Sequence, residues 1–328
     1  MEISQKAAIV DNYLRRVMFY ENARTGFRAF LQAAFSEKSG KVLLPAYIGW
    51  SPKEGSGVFD PVAELGVDYV FYRMTEELHI DMEDVAKCFV ENDIAVAVII
   101  HYFGYVDPAY NNFVVAAHDS GAVVLEDEAH SMLSDIIGGI CGRAGEACIY
   151  SLHKLLPVDN GGVLVLNKDC GRRPVEVPFD TSNIGEAYWN YDLLAIAEKR
   201  RKNVLLLSQM LQKLTGEADL LWPAINDGTV SQTLPVLIRN VSRDKLYEFM
   251  NSHGYGVVSL YHTLIEQIRM EKFPVSHELS RKIMNLPVHQ DICKKELNGL
   301  VECLEAGIMA LKSQKSQSRM ARNDYEKR

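Results

Sequence analysis

Between residues 40 and 170, short apolar runs alternate with stretches of helical period. KVLLP (41–45), YVFY (69–72), IAVAVIIHYF (94–103), AVVLED (122–127), ACIYSL (147–152) and GVLVL (162–166) read as strands. Several are apolar throughout, the pattern of strands covered on both faces. MEDVAKCFVEN (82–92) and NFVVAAHDSG (112–121) read as helices, the second closed by Gly121. Strands alternating with helices predict a mainly parallel sheet with helices on both faces. Ligands of such sheets bind at the C-terminal ends of the strands.

The second half has a different texture. Residues 190–214 keep helical periodicity without Gly or Pro and predict one long connecting helix. Beyond it, TLPVLIR (233–239) and YGVVSLY (255–261) read as strands, and DKLYEFMNSHG (244–254) and ELNGLVECLEAGIMALK (296–312) as helices. The predicted organisation is a large α/β domain over 1–215 that includes the long helix, a small α+β domain over 216–312, and a polar tail over 313–328 that frays.

Composition narrows the partners. The chain has 328 residues, enough for a large core, with 48% hydrophobic and 24% charged residues. A net charge of −8 argues against a nucleic-acid partner. No apolar run approaches the roughly 18–20 residues of a membrane span, and the N-terminus has no signal-peptide core. Six cysteines without a CxxC pair read as free thiols of a cytoplasmic protein.

Candidate chemistry centres on Lys154. It follows a strand, in YSLHKLLPVDNGGVLV (150–165), with Ser151 before it and Gly161-Gly162 after it. About 25 residues upstream, VLEDEAHS (124–131) delivers Asp127 at a strand end and His130 on the loop beyond. A lysine on a tight loop facing such an acid is what pyridoxal phosphate requires: the amine forms a Schiff base and the acid keeps the pyridine nitrogen protonated. Thr25-Gly26, at the start of a helix read over 22–35, offers backbone N–H groups and a hydroxyl to a phosphate, or is a plain helix cap. His101 and Gly104 close a buried strand, where the histidine reads first as structural. A metal reading of His101, His118, Glu126, Asp127, Glu128 and His130 matches no HExxH spacing or standard ligand pattern, so no metal is expected.

These blocks resemble the DegT/DnrJ/StrS aminotransferases, fold type I pyridoxal phosphate enzymes, over roughly residues 20–305. The matching segments are NARTGFRAFL (22–31), HYFGYVDP (101–108), VLEDEAHS (124–131), YSLHKLLPVDNGGVLV (150–165) and FPVSHELSRKIMNLPVHQDI (273–292). The resemblance implies that Lys154 is the cofactor-bearing lysine and Asp127 the partner of the pyridine nitrogen. It places His130 beside the ring, Ser151, Thr25 and Gly26 at the phosphate, and an aromatic, Tyr47 or Trp50, in the wall. Arg24 stands where the family has glycine, Ser151 and Lys154 are three apart instead of five, and SNIGEAYWNY (182–191) is the nearest match to a segment that holds substrate across a dimer.

The implied activity is transamination from glutamate to a nucleotide-linked keto-sugar, by a homodimer with shared active sites. Two alternatives stand beside it. One is a pyridoxal phosphate-dependent sugar dehydratase; relatives of that type can carry histidine at the lysine position, so Lys154 argues against it. The other is a catalytically weak binding or regulatory protein on the same fold.

Overall fold

The computed structural model describes residues 15–167 and 190–325, with side chains to residue 315. The 182–189 part of the expected substrate segment and Cys170 lie outside the described residues. A seven-stranded sheet contains β1 (Arg16–Tyr20), β2 (Lys41–Pro45), β3 (Tyr69–Tyr72), β4 (Ile94–Ile100), β5 (Val123–Asp127), β6 (Ala147–Ser151) and β7 (Gly162–Leu166). Its order is β1-β7-β6-β5-β4-β2-β3. β2 to β6 are mutually parallel, and β7 runs antiparallel between β6 and β1. Every residue of β4, β6 and β7 is buried, as the continuous apolar runs require.

Helices α1 (Ala23–Phe35), α2 (Phe59–Glu64), α3 (Met82–Glu91), α4 (Tyr110–Asp119) and α5 (Met132–Ile136) accompany this sheet. α1 is set by its ends and its face. The Asn22 side chain caps it by accepting the Thr25 N–H, while Phe27, Phe30, Leu31 and Ala34 bury one stripe. Asp81 caps α3 in the same way, accepting from Glu83 and Asp84 N–H.

A second, three-stranded sheet follows, β8 (Ala218–Leu220), β9 (Thr233–Ile238) and β10 (Ile283–Pro287), in the order β10-β9-β8 and antiparallel throughout. The long helix is Leu193–Leu211, capped by Asp192. It serves two cores: Ala197 packs below the large sheet, and Val204, Leu207 and Leu211 pack with the small one. Its buried polar residues act as clamps. Arg200 donates to the carbonyls of Leu155, Ser231 and Gln232, and Asn203 to those of Val288, His289 and Ile292. The long helix thereby ties the loop after Lys154 to the approach of β9.

Three expectations change. YGVVSLY (255–261) forms no strand; Val258 makes a single bridge to Asn285, and Tyr261 adopts a left-handed φ of 59°. The final helix runs Lys294–Tyr325, well past residue 312, because the polar tail contains no Gly or Pro to stop it. The strand read over 94–103 ends at Ile100, and Tyr102–Gly104 makes a 3₁₀ turn with Phe103 at φ 58°. The five described cysteines are free thiols. Among the described residues, no helix is long and apolar enough to cross a membrane.

That turn joins the two halves. Gly104 has φ 97°, and a Cβ there would lie 2.5 Å from Val230 O and 2.8 Å from Ser231 Cα. The Ser134 hydroxyl donates to Gly104 O at 2.7 Å and accepts from Val230 N–H at 2.9 Å. Gly104→Ala combines backbone strain with a backbone clash and is expected to cost about 2–4 kcal/mol. The check is the urea midpoint followed by tryptophan fluorescence; an unchanged midpoint would show that this junction is not tightly packed.

Candidate active site

The C-terminal ends of four strands meet at one edge of the large sheet. β5 ends at Asp127, β6 at Ser151, β4 leads into His101–Gly104, and β1 leads into the start of α1. β1 reaches this edge through its register on β7, which pairs Tyr20 with Gly162. Gly162 is indispensable to the approach: a Cβ there would collide with the backbone of Asn22 and Ala23. The β6–β7 loop, residues 152–161, carries Lys154.

A cavity of about 610 Å³ opens at this edge. Asp127, His130, Ser151, His153 and Lys154 form one wall, and Asn22, Ala23 and Arg24 bring the α1 N-terminus into another. Trp50 lines the cavity and is 44% exposed. Tyr261, in the segment misread as a strand, also lines it.

Hydrogen bonding fixes the protonation of the central pair. The Phe103 N–H donates to His130 Nδ1 at 3.3 Å, so that nitrogen carries a lone pair and the imidazole proton sits on Nε2. Nε2 lies 3.1 Å from Lys154 Nζ. An Nε2–H facing the amine requires a lone pair on Nζ, so Lys154 is held as the neutral amine. Burial lowers the Lys154 pKa, against an opposing pull from Asp127 and Glu54. Burial pushes His130 well below its ordinary value. The Phe103 ring lies nearly parallel to the His130 ring, with centroids 6.0 Å apart and planes 11° apart.

Asp127 faces the cavity with every other side enclosed by protein. Burial raises its pKa, while Lys154 and the Ala129 N–H, which donates to Oδ1 at 2.9 Å, oppose the rise. The Ser151 hydroxyl lies 3.4 Å from His153 Nδ1, on the cavity wall.

The other expected residues are placed differently. The Thr25 hydroxyl lies 3.1 Å from Asn22 Oδ1, and Gly26 packs beneath Ile149 and Tyr20; neither lines the cavity. Helix geometry leaves the first-turn N–H groups of Ala23 and Arg24 without an intrahelical acceptor, and both residues line the cavity. Tyr47 is fully buried behind the wall, its ring 5.5 Å from Tyr102 and 5.1 Å from Tyr261. The sequence reading missed Phe103 and Tyr261. The available signal for Phe103 was its place before Gly104 in a turn closing a buried strand.

These residues fit pyridoxal phosphate on their own chemistry. A neutral buried amine can take the aldehyde, a carboxylate can pair with a ring nitrogen, and a helix N-terminus can hold a phosphate.

Comparison with known proteins agrees. The sequence profile of the DegT/DnrJ/EryC1/StrS aminotransferase family matches residues 15–175 and 192–305. A search of curated proteins finds no match. Among solved structures, DesI in the presence of its TDP-sugar product superposes with a TM-score of 0.75 at 17% identity, covering 93% of this chain and 84% of that one. Helicobacter pylori PseC, an aminotransferase involved in the biosynthesis of pseudoaminic acid, gives a TM-score of 0.69 at 14% identity, covering 90% and 88%. The E. coli GDP-4-keto-6-deoxy-D-mannose-3-dehydratase with bound hydrated PLP gives 0.67 at 15% identity, covering 88% and 87%. The chain therefore belongs to the pyridoxal phosphate-dependent DegT/DnrJ/EryC1/StrS aminotransferase family and has the fold type I architecture.

Proposed function

We propose that the protein transfers an amino group from glutamate to a keto-sugar carried on a nucleotide. The observation that carries the reading is the Lys154 amine, 3.1 Å from His130 Nε2, on the same wall as Asp127 in a cavity into which a helix N-terminus opens. Lys154 would hold the cofactor, Asp127 would pair with its ring nitrogen, and the first turn of α1 with Ser151 would hold its phosphate. When bound, the cofactor supplies an electron sink for the carbanion that forms at the donor's Cα. Lys154, once free, is the base placed to take the Cα proton and return it as an acid. His130, with its Nε2 proton facing the amine, would favour the neutral form.

The sugar-nucleotide part rests on the other cavity walls. Arg24, Lys53 and His262 add cationic or protonatable groups suited to a diphosphate. DesI, with its TDP-sugar product, and PseC are similar in fold. The dehydratase neighbour keeps a second reading in view, but Lys154 in the cofactor position favours transamination. Glutamate added to the loaded protein should bleach the visible absorbance of the lysine-bound cofactor, and a keto-sugar nucleotide should restore it. No bleaching would favour the dehydratase or a binding protein.

Lys154→Ala is expected to abolish covalent cofactor attachment and turnover. Borohydride reduction followed by peptide mapping checks this, and label on another lysine would overturn the assignment.

Asp127→Asn is expected to slow turnover on the order of 10²-fold or more, about 3 kcal/mol, because an amide cannot hold the ring nitrogen protonated. Folding should change little, as read by circular dichroism. Near-normal turnover would make Asp127 a mere strand end.

We further propose a homodimer whose sites are completed by the partner, the arrangement the family resemblance suggests and the commonest oligomeric symmetry. Light scattering should give twice the chain mass of 36.9 kDa. A fully active monomer would refute it.

A further inference from the structure

Behind the cavity wall, on the other side of Asp127, lies a second cluster that the proposed reaction does not use. His101, Glu128 and Cys141 are buried, at 0%, 0% and 2% exposure. One ligand atom from each, the imidazole nitrogen, a carboxylate oxygen and the sulfur, lies within 4.8 Å of the other two. Glu128 belongs to this chain's own pattern: it is the residue between Asp127 and Ala129, where burial gives a carboxylate no solvent.

The hydrogen bonds show what is left over. Glu126 accepts from Tyr110 at 2.9 Å, Gly142 N–H at 2.6 Å, Gly145 N–H at 2.8 Å and His101 Nε2 at 3.0 Å. These donors hold its pKa low despite burial. An ionised, fully engaged Glu126 places the imidazole proton on His101 Nε2. His101 Nδ1 is left without a hydrogen-bond partner, and the buried carboxyl of Glu128 has only the Cys141 thiol against it.

An imidazole nitrogen, a carboxyl and a thiol thus face one another in a dry interior. The thiol proton can engage the carboxyl alone; a cation can engage all three. The three donor atoms, an imidazole nitrogen, a carboxylate oxygen and a sulfur, are a set that suits zinc. The carboxylate behind His101 supplies the outer support that metal-binding histidines usually have. A neighbouring group, Glu128 with Asp135 and Cys148, offers no such opening. Asp135 is already taken by Arg15 at 2.6 Å, Arg143 at 3.1 Å and Tyr150 at 2.5 Å, and Arg15 also donates to Cys148 Sγ at 2.9 Å.

We propose that His101, Glu128 and Cys141 form a structural zinc site. This departs from the sequence expectation of no metal, which rested on the absence of an HExxH spacing or a standard ligand pattern and did not include Cys141. Binding would release the Cys141 thiol proton and any proton held by Glu128. The ion would join the end of β4, the exit of β5 and the loop after α5. It would brace Asp127 from behind, since Asp127 stands between the ligand Glu128 and the supporting Glu126.

The test is metal content of the full-length protein, made in zinc-supplemented medium, dialysed against zinc and passed through gel filtration. One zinc per chain is expected. Glu128→Gln and Cys141→Ser should each reduce it to background, while Cys293→Ser, at an exposed thiol, should retain it. Cobalt in place of zinc should give visible d–d bands, at longer wavelength than the pyridoxal chromophore, that disappear with Cys141→Ser. If Glu128→Gln does not fold, the wild-type stoichiometry and the cobalt spectrum still decide. Wild-type protein without retained zinc would overturn the proposal and make the cluster a proton-sharing carboxyl and thiol. Equal zinc in wild type and both variants would also overturn it, placing the ion elsewhere.

Discussion

The hydrogen bond between His130 and Lys154 constrains everything around it. A charged ammonium would need acceptors, and the nearest group offers it an N–H instead. That arrangement holds only because His130 Nδ1 is occupied by the Phe103 N–H. Phe103 reaches this position at φ 58°, a conformation that costs an L-residue roughly 1–2 kcal/mol. The surrounding structure repays the strain. Gly104 lets the turn lie against residues 230–232, and the Ser134 hydroxyl fastens both sides. Protonation at the site is thus set by packing some distance from it.

The same logic explains the strand order. Placing β7 antiparallel between β6 and β1 gives the lysine loop and the α1 N-terminus a common edge. Gly162 permits the backbone contact between them, and Arg200 anchors Leu155, one residue beyond the lysine, to the segment before β9. Lysine, acid and helix end therefore come from elements far apart in sequence, yet their separation is fixed by strand register.

Much of this was legible from residue patterns. Several of the buried strands are apolar throughout, and their lengths were read to within a few residues. Lys154, Asp127, His130 and Ser151 follow strand ends and gather on one cavity wall. What escaped the reading depends on tertiary contacts. β1 is a five-residue strand whose partner β7 lies 142 residues away at the Tyr20–Gly162 pair, a pairing that no local period reveals and only the sheet brings about. Thr25-Gly26 resembled an anion site, but the cap residue is Asn22, which moves the exposed first turn to Ala23 and Arg24. YGVVSLY has strand composition, yet Tyr261 turns into the left-handed region to reach the cavity.

The central claim is that the fold, before any ligand binds, holds Lys154 as a neutral amine. Lysine ε-resonances can be followed by NMR across pH in cofactor-free protein labelled at lysine and assigned with Lys154→Arg. The account predicts that the Lys154 resonance titrates well below the others, and that His130→Ala shifts it. A Lys154 amine that titrates with the surface lysines, near the ordinary value of about 10.4, would contradict it.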